Sequence, residues 1–270
     1  MGVVATGGRR KAARLVSLEG RHAVVTGGGR GIGFAIAAEL LRRGCVVTVM
    51  GRDSKRLRAA ELKLGRLGRV GTAVLDAAKE SSVKAAFRRA VKASGPVEIL
   101  INNAGAAESA PLGRTTRKMW DAMLGVNLTG AFLCSREVAD TMVKRGGGAI
   151  VTVASTAGLE GYPYVTAYCA AKHGAVGFSR ALALELTRTG VRVNVVCPHF
   201  TETDLLADSV KRVAAMTGQR PAAIRASYLR SMPHGRFVTA AEVAAVVADL
   251  CERSDVTGRA LVVDGGKVKI

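Results

Sequence analysis

Three residue types at two spacings give this sequence its clearest capacity for chemistry. Tyr168-Cys169-Ala170-Ala171-Lys172 lies in a helical pattern, so the phenol and the amine, four apart, share one helix face. Ser155 closes the apolar run Ile150-Val151-Thr152-Val153-Ala154, and the short interval to Tyr168 lets a strand end face the helix that follows. A hydroxyl, a phenol and an ammonium gathered at one place can bind an oxygen and pass a proton to or from it. Asn127 lies in the long helical pattern just before them. A single Tyr-x-x-x-Lys also arises by chance, so the surrounding elements have to decide.

A second constellation would hold an anion. Thr26-Gly27-Gly28-Gly29-Arg30-Gly31-Ile32-Gly33 follows the first strand pattern and opens the first helix pattern. Gly27, Gly31 and Gly33 let the backbone turn sharply and approach a pyrophosphate, and Ile32 starts a helix whose N-terminal N–H groups face it. A purely structural glycine turn is the alternative. The second strand ends Met50-Gly51-Arg52, with Gly51 in the place where an NAD site would carry an acid for the ribose 2′-hydroxyl and Arg52 following it. Arg52 there, with Arg30 from the glycine turn, suits a 2′-phosphate and hence NADPH over NADH; two solvated surface arginines are the bland reading. Asp76, at the end of the third strand, could accept from an adenine amino group.

The elements that must position these groups alternate along the chain. Strand patterns at Val24–Thr26, Val46–Met50, Val70–Leu75, Ile99–Asn102, Ala149–Ala154, Val191–Cys197 and Ala260–Val263 are separated by helical patterns. The helices fall near 32–43, 54–65, 80–93, 115–144, 165–188 and 240–251. This predicts a single α/β domain, a Rossmann-type doubly wound parallel sheet of seven strands with helices on both faces. The strand runs read as apolar on both sides, as burial between helix layers requires. The connection 201–238 is too long for a plain loop and carries two helical patterns, so it is a candidate substrate lid.

Composition narrows the class further. The 270 residues carry a formal net charge of +19, and the first 70 hold 15 basic against 4 acidic side chains. Only 4% of residues are aromatic, and no basic recognition helix or stacking platform stands out, which argues against nucleic acid as partner. An anionic small molecule needs no such platform. Residues 1–17 read as a basic, flexible tail preceding a domain of residues 18–270; the start also fits a myristoylation pattern formally, though nothing else points to a membrane. The five cysteines are scattered, without metal-ligand or disulfide spacing, so no metal is expected and a cytoplasmic setting is.

Taken in order, the Thr26–Gly33 turn, Asn102-Asn103-Ala104-Gly105, Asn127 in Val-Asn-Leu-Thr-Gly, Ser155, Tyr168-x-x-x-Lys172, Pro198 and Val263-Asp264-Gly265-Gly266 make the chain resemble the short-chain dehydrogenase/reductase superfamily from about Leu18 to Gly266. The resemblance implies that Tyr168 is the general acid for carbonyl reduction and that Ser155 holds the substrate oxygen. Lys172 would hold the nicotinamide ribose and, together with the cofactor's positive ring, lower the phenol pKa. Asn127 would bind a water linking Lys172 to solvent, Asn103 would line the cofactor cleft, and Thr203 would meet the nicotinamide carboxamide. His199 stands where the family has glycine: a substitution tolerated at a turn, in a left-handed backbone that some non-glycine residues adopt, is the expectation, and a substrate-facing group is the alternative.

The resemblance further implies a homotetramer formed through the helices of 115–144 and 165–188 and through the last helix and strand. The expected reaction is reduction of a small-molecule ketone, either a 3-oxoacyl thioester on coenzyme A or a carrier protein or a related cyclic or polyketide ketone. The basic lid residues Lys211, Arg212, Arg220, Arg225 and Arg230 could recruit such an anionic carrier. Two alternatives stand beside it: oxidation of a free secondary alcohol, sugar or steroid, and a non-catalytic dinucleotide sensor. Leu159, Tyr162, Tyr164, Phe200 and Met232 are candidates to line an apolar pocket.

Overall fold

Short β-branched runs and amphipathic stretches alternate through the whole chain, and the computed structural model, which describes residues 15–266, turns them into seven strands and nine α-helices among those residues. The strands are β1 (His22–Thr26), β2 (Val46–Gly51), β3 (Val70–Val74), β4 (Ile99–Asn102), β5 (Gly148–Val153), β6 (Val191–Pro198) and β7 (Ala260–Val263). All pair in parallel, in the order β3-β2-β1-β4-β5-β6-β7. That is the doubly wound sheet expected, with its switch point between β1 and β4, where ligands bind in such folds.

The helices are α1 (Gly31–Arg42), α2 (Ser54–Leu64), α3 (Glu80–Ser94), α4 (Arg117–Leu124), α5 (Gly130–Lys144), α6 (Thr166–Glu185), α7 (Asp204–Thr217), α8 (Pro221–Arg230) and α9 (Ala240–Glu252). One face of the sheet packs Val25, Val49 and Val151 against Ile36 and Leu40 of α1 and Val247 of α9. The other face packs Val24, Leu100 and Ile150 against Phe87 of α3 and Met142 of α5. Burial on both sides holds for β1, β4, β5 and β6, whereas the edge strands β3 and β7 each expose a residue. An edge strand is paired and covered on one flank only, so the two-faced apolar expectation fails there.

Two further differences from expectation bear on the site. The single helix expected over 115–144 is split by a π-helical turn, Gly125–Thr129, which carries Asn127. Such turns insert a residue without disturbing the apolar period on either side, so periodicity does not reveal them. The basic tail expected at 1–17 lies outside the described residues up to residue 14, but Leu15 bridges Arg253 and the Val16 N–H donates to Glu252 O at 2.8 Å. Among the described residues no helix is long and apolar enough to cross a membrane.

The segment 201–238 forms α7 and α8 with a small core of its own, Val210, Ala214 and Ile224. A parallel bridge between Thr201 and Val238 closes it at the base. Just beyond, Thr239 and Glu242 make a reciprocal capping box on α9, and Arg236 donates to Glu242 at 2.6 and 2.9 Å. The Arg236 guanidinium, with the Thr239 N–H, holds the Glu242 carboxyl down at about 2. A depressed folded-state pKa contributes stability that is present above the unfolded value of 4.5 and is lost as pH falls through about 2. Glu242→Gln is therefore expected to cost roughly 1 kcal/mol near neutral pH, discounted for exposure. In thermal melts its difference from wild type should close between those two pH values; a pH-independent difference would exclude the ion pair as the cause.

Candidate active site

The glycine turn meets its structural demands at particular atoms. Gly27 and Gly31 have φ of +67° and +54°, the left-handed region that glycine enters freely. A Cβ on Gly33 would lie 2.4 Å from both Gly27 O and Asn103 Nδ2, so nothing larger fits where α1 approaches β1. Arg30, the N-cap of α1, makes no side-chain cap, which leaves the first-turn N–H groups without a side-chain acceptor. Asn103 braces the turn: its Nδ2 donates to Thr26 O at 2.9 Å and to Gly27 O at 3.3 Å. Thr26, a residue that sequence reasoning did not single out, ties β1 to β4. Its hydroxyl donates to Ile101 O and accepts from the Asn103 and Ala104 N–H groups at 3.0 and 2.9 Å.

This turn forms one end of a cleft of about 830 Å³ along the carboxyl ends of the strands. Gly27, Arg30, Gly31, Ile32, Gly33, Arg52, Asp76, Asn103, Asn127, Ser155, Tyr168, Lys172 and Thr203 all border it, so the residues expected for catalysis and for the cofactor line one cleft. At the end of β2, Arg52 and Arg56 reach the cleft, and Asp53 is turned to the N-terminus of α2, where its carboxylate accepts from the Arg56 N–H at 3.0 Å. Arg56 was not anticipated; it lies one helical turn beyond Asp53 in a sequence dense with arginine. Arg30 contacts Asp204 of α7 at 3.2 Å, both side chains exposed. An uncapped helix N-terminus, a turn admitting only glycine and guanidinium groups beyond it fit a dinucleotide carrying an extra phosphate.

At the other end, Ser155 follows β5 and its Oγ accepts from the Ala157 N–H at 3.1 Å. The Tyr168 hydroxyl, on α6, faces Ser155 at this end of the cleft. Lys172, one turn further, lies buried, with Nζ donating to Val153 O at 2.9 Å and standing 5.7 Å from the Tyr168 ring centroid. Gly105 has to be glycine here, because a Cβ would come within 2.7 Å of Asn127 Oδ1. Asn127 in the π-turn donates from Nδ2 to Ala106 O and Met123 O at 2.9 and 3.0 Å. Both amide protons are thereby engaged, which leaves Oδ1 and the main chain as its means of holding a water. Beneath the site, a cavity of about 10 Å³, the size of one water, is lined by Asn102, Asn127 and Lys172, and Asn102 Oδ1 is buried without a partner.

The electrostatics of the chain alone differ from those expected with the cofactor's positive ring beside the phenol. Burial pushes the Tyr168 phenol up to about 12, although Ser155 pulls the other way. Burial likewise lowers Lys172 to about 8. The ammonium lies over the ring and spends one proton on Val153 O, so in the chain alone it does not outweigh desolvation. The protein by itself thus keeps the phenol protonated, the form that can donate to a carbonyl oxygen.

Two more expectations change. His199 has no left-handed backbone: the only non-glycine residues with positive φ among those described are Tyr164 and Arg188. Its N–H donates to Val263 O at 2.9 Å in an extension of the β6–β7 pairing, and its ring borders the cleft. Of the five apolar pocket candidates, Tyr162, Tyr164 and Phe200 border the cleft, while Met232 is in the core and Leu159 faces outward. In the lid, Arg225 is paired with Glu202 and lies 4.6 Å from the Phe237 ring centroid, so it is committed within the chain.

The family model for short chain dehydrogenase matches residues 21–214. The chain belongs to the short-chain dehydrogenases. As a short-chain dehydrogenase it is an oxidoreductase, and its relatives share nearly its whole length. A human 3-oxoacyl-[acyl-carrier-protein] reductase is 38% identical over 90% of this chain and 95% of its own. The D-beta-hydroxybutyrate dehydrogenase of Cupriavidus necator is 36% identical, covering 93% of this chain and 99% of its own. Among solved structures, an actinorhodin polyketide ketoreductase with NADPH superposes with a TM-score of 0.88 at 35% identity, covering 91% of this chain and 96% of that one. Levodione reductase superposes equally well, with a TM-score of 0.88 at 30% identity over 92% of this chain and 98% of its own.

Proposed function

We propose that this short-chain dehydrogenase reduces a ketone to a secondary alcohol at the expense of NADPH. The observation that carries the reading is the Ser155–Tyr168 hydroxyl pair at the inner end of the cleft, with the buried Lys172 ammonium over the Tyr168 ring. The nicotinamide, when bound, supplies the hydride. Ser155 fixes the carbonyl oxygen, and Tyr168 Oη delivers a proton to it as negative charge develops. Lys172, with two protons left after Val153 O, holds the ribose hydroxyls and steadies the phenolate that remains. Thr203 borders the same cleft from the start of the lid, where it can meet the carboxamide, and Asp76 borders it at the adenine end. A spectrophotometric screen of cyclic ketones and 3-oxoacyl thioesters with NADPH and NADH tests this. Oxidation of NADPH by none of them would overturn it.

The substrate reading is a ketone on a ring system or on an acyl thioester, in keeping with the ketoreductases and acyl-carrier reductases it is similar to. With Arg225 internally paired, Lys211, Arg220 and Arg230 are the exposed lid cations left for a phosphopantetheine or coenzyme A. Raising salt from about 0.05 to about 0.5 M is therefore expected to raise the KM of an acyl-CoA severalfold and to leave that of an uncharged ketone unchanged. An acyl-CoA KM indifferent to salt would remove the lid from carrier recruitment. Exposed Phe132 of α5 and Leu184 of α6, the latter 79% exposed, together with Val262 on the β7 edge, support assembly into a homotetramer, which sedimentation would test. Five free, buried cysteines suit a reducing, cytoplasmic compartment.

A further inference from the structure

One wall of the cleft beside Ser155 is a row of aromatic rings with a hydrogen-bonded chain running behind it. His199 stacks on Phe200 with centroids 4.9 Å apart, and Phe200 stacks on Tyr228 of α8 at 4.3 Å. Tyr162 stands edge-on to His199 and to Phe200 at 6.1 and 6.4 Å. Behind them the Tyr162 hydroxyl donates to Glu160 Oε1 at 2.7 Å; Thr156 Oγ1 lies 3.0 Å from the Tyr162 hydroxyl and 3.5 Å from His199 Nδ1.

Counting protons along this chain fixes its direction. The Glu160 carboxylate only accepts, so it takes the single proton of Tyr162. The contact between Thr156 and Tyr162 then needs the Thr156 proton, and Thr156 offers His199 nothing but a lone pair. A lone pair there requires the proton of the neutral imidazole to sit on Nδ1, because two lone pairs would repel. Burial favours the neutral ring, while Glu160 and Asp264 pull the other way. Nε2 is left as an acceptor. It makes no hydrogen bond to any described residue, and the ring borders the cleft.

We propose that His199 is a specificity-determining residue: its Nε2 accepts a hydrogen bond from a hydroxyl, enol or phenol carried by a cyclic ketone that packs against this aromatic wall while its carbonyl lies at Ser155 and Tyr168. The wall and the carbonyl-binding hydroxyls are neighbours in the chain, since Thr156, which sets the tautomer of His199, directly follows Ser155. The inference rests on the proposed ketone reduction and adds the class of ketone. Glu160 acts at one remove, as a positioning residue for the proton on His199.

The test uses tetralone, its singly hydroxylated derivatives and the matching methoxy ethers, with NADPH. Wild type should favour at least one hydroxytetralone over tetralone by about tenfold in kcat/KM, expressed in KM, and His199→Phe, which keeps the stack, should erase that ratio. Glu160→Ala lets the Tyr162 proton turn to Thr156 and the Thr156 proton to Nδ1; Nε2 then carries a proton that a hydroxyl and a methoxy oxygen both accept, so the preference for the hydroxyl over the ether should be lost. Nitrogen-15 NMR of His199 should show the Nδ1–H tautomer in wild type and Nε2–H in Glu160→Ala. An unchanged hydroxyl preference in His199→Phe, or an Nε2–H tautomer in wild type, overturns the proposal. If wild type turns over no ketone, the ketoreductase reading fails separately. Titration with naphthol and naphthalene, which needs no turnover, then still decides this one: naphthol should bind about tenfold more weakly to His199→Phe, and equal binding overturns it.

Discussion

Tyr168→Phe is expected to lower the rate of NADPH oxidation about a thousandfold and to leave NADPH affinity within about twofold of wild type. The substitution removes one oxygen and keeps the ring, so the packing of α6 and the placement of Lys172 Nζ over that ring persist. What is lost is the hydroxyl facing Ser155, which burial keeps protonated with a pKa of about 12. Without it the alkoxide formed by hydride transfer has no positioned proton donor, and the carbonyl oxygen keeps only the Ser155 hydroxyl. The glycine turn, Arg52 after β2 and Arg56 of α2 border the far end of the cleft, untouched by the substitution, so on the proposed reading cofactor affinity should persist. Single-turnover kinetics together with a fluorescence titration of NADPH separate the two quantities. A variant turning over at near wild-type rate would remove Tyr168 from the chemistry, and a dinucleotide sensor would show that indifference.

The second large effect is expected on cofactor choice. Arg52→Asp should lower kcat/KM with NADPH about a hundredfold and raise it with NADH. A charge-assisted contact to a phosphate contributes about 1.5–3 kcal/mol, and a carboxylate at the same place adds repulsion. Arg52 is the residue to choose because it makes no ion pair among the described residues. Arg30 is engaged with Asp204 at 3.2 Å, and Arg56 is 3.9 Å from Asp53. The new acid would stand one residue beyond the strand-end position of Gly51, within reach of a ribose 2′-hydroxyl, so the loss with one cofactor and the gain with the other share a cause. Steady-state kinetics with both cofactors checks it; a wild-type ratio in the variant would leave the 2′-phosphate to other groups.

Much of this was legible in the sequence because it rests on patterns that the backbone enforces locally. Runs such as Ile99–Asn102 and Ala260–Val263 are strands to the residue, since β-branched content and bounding turns leave little alternative. Tyr168, Lys172 and Ser155 meet because a parallel sheet puts every strand end and helix start on one side. The π-turn at Asn127 was invisible, as the helical patterns on either side of it each keep their own period. So was the Glu160–Tyr162–Thr156–His199 chain, which depends on how two loops after β5 and β6 are laid against each other. Met232 shows the limit of residue type: an apolar side chain in a lid reads the same whether it faces ligand or core. Arg225 shows the same for charge, since its partner Glu202 sits at the opposite end of the lid in sequence.

The bridge that closes the lid at Thr201 and Val238 separates two kinds of change that the chain can accumulate. Within the closed loop, residues can be inserted, deleted or exchanged without shifting the register of β6 against β7, and doubling a loop's length costs only about 0.6 kcal/mol. The proton donor, the glycine turn and the sheet lie outside that loop. Exchanging 201–238 between relatives can therefore remodel the lid side of the cleft, Thr203 and the Asp204 partner of Arg30 included, while His199, the proton donor and the sheet stay in place.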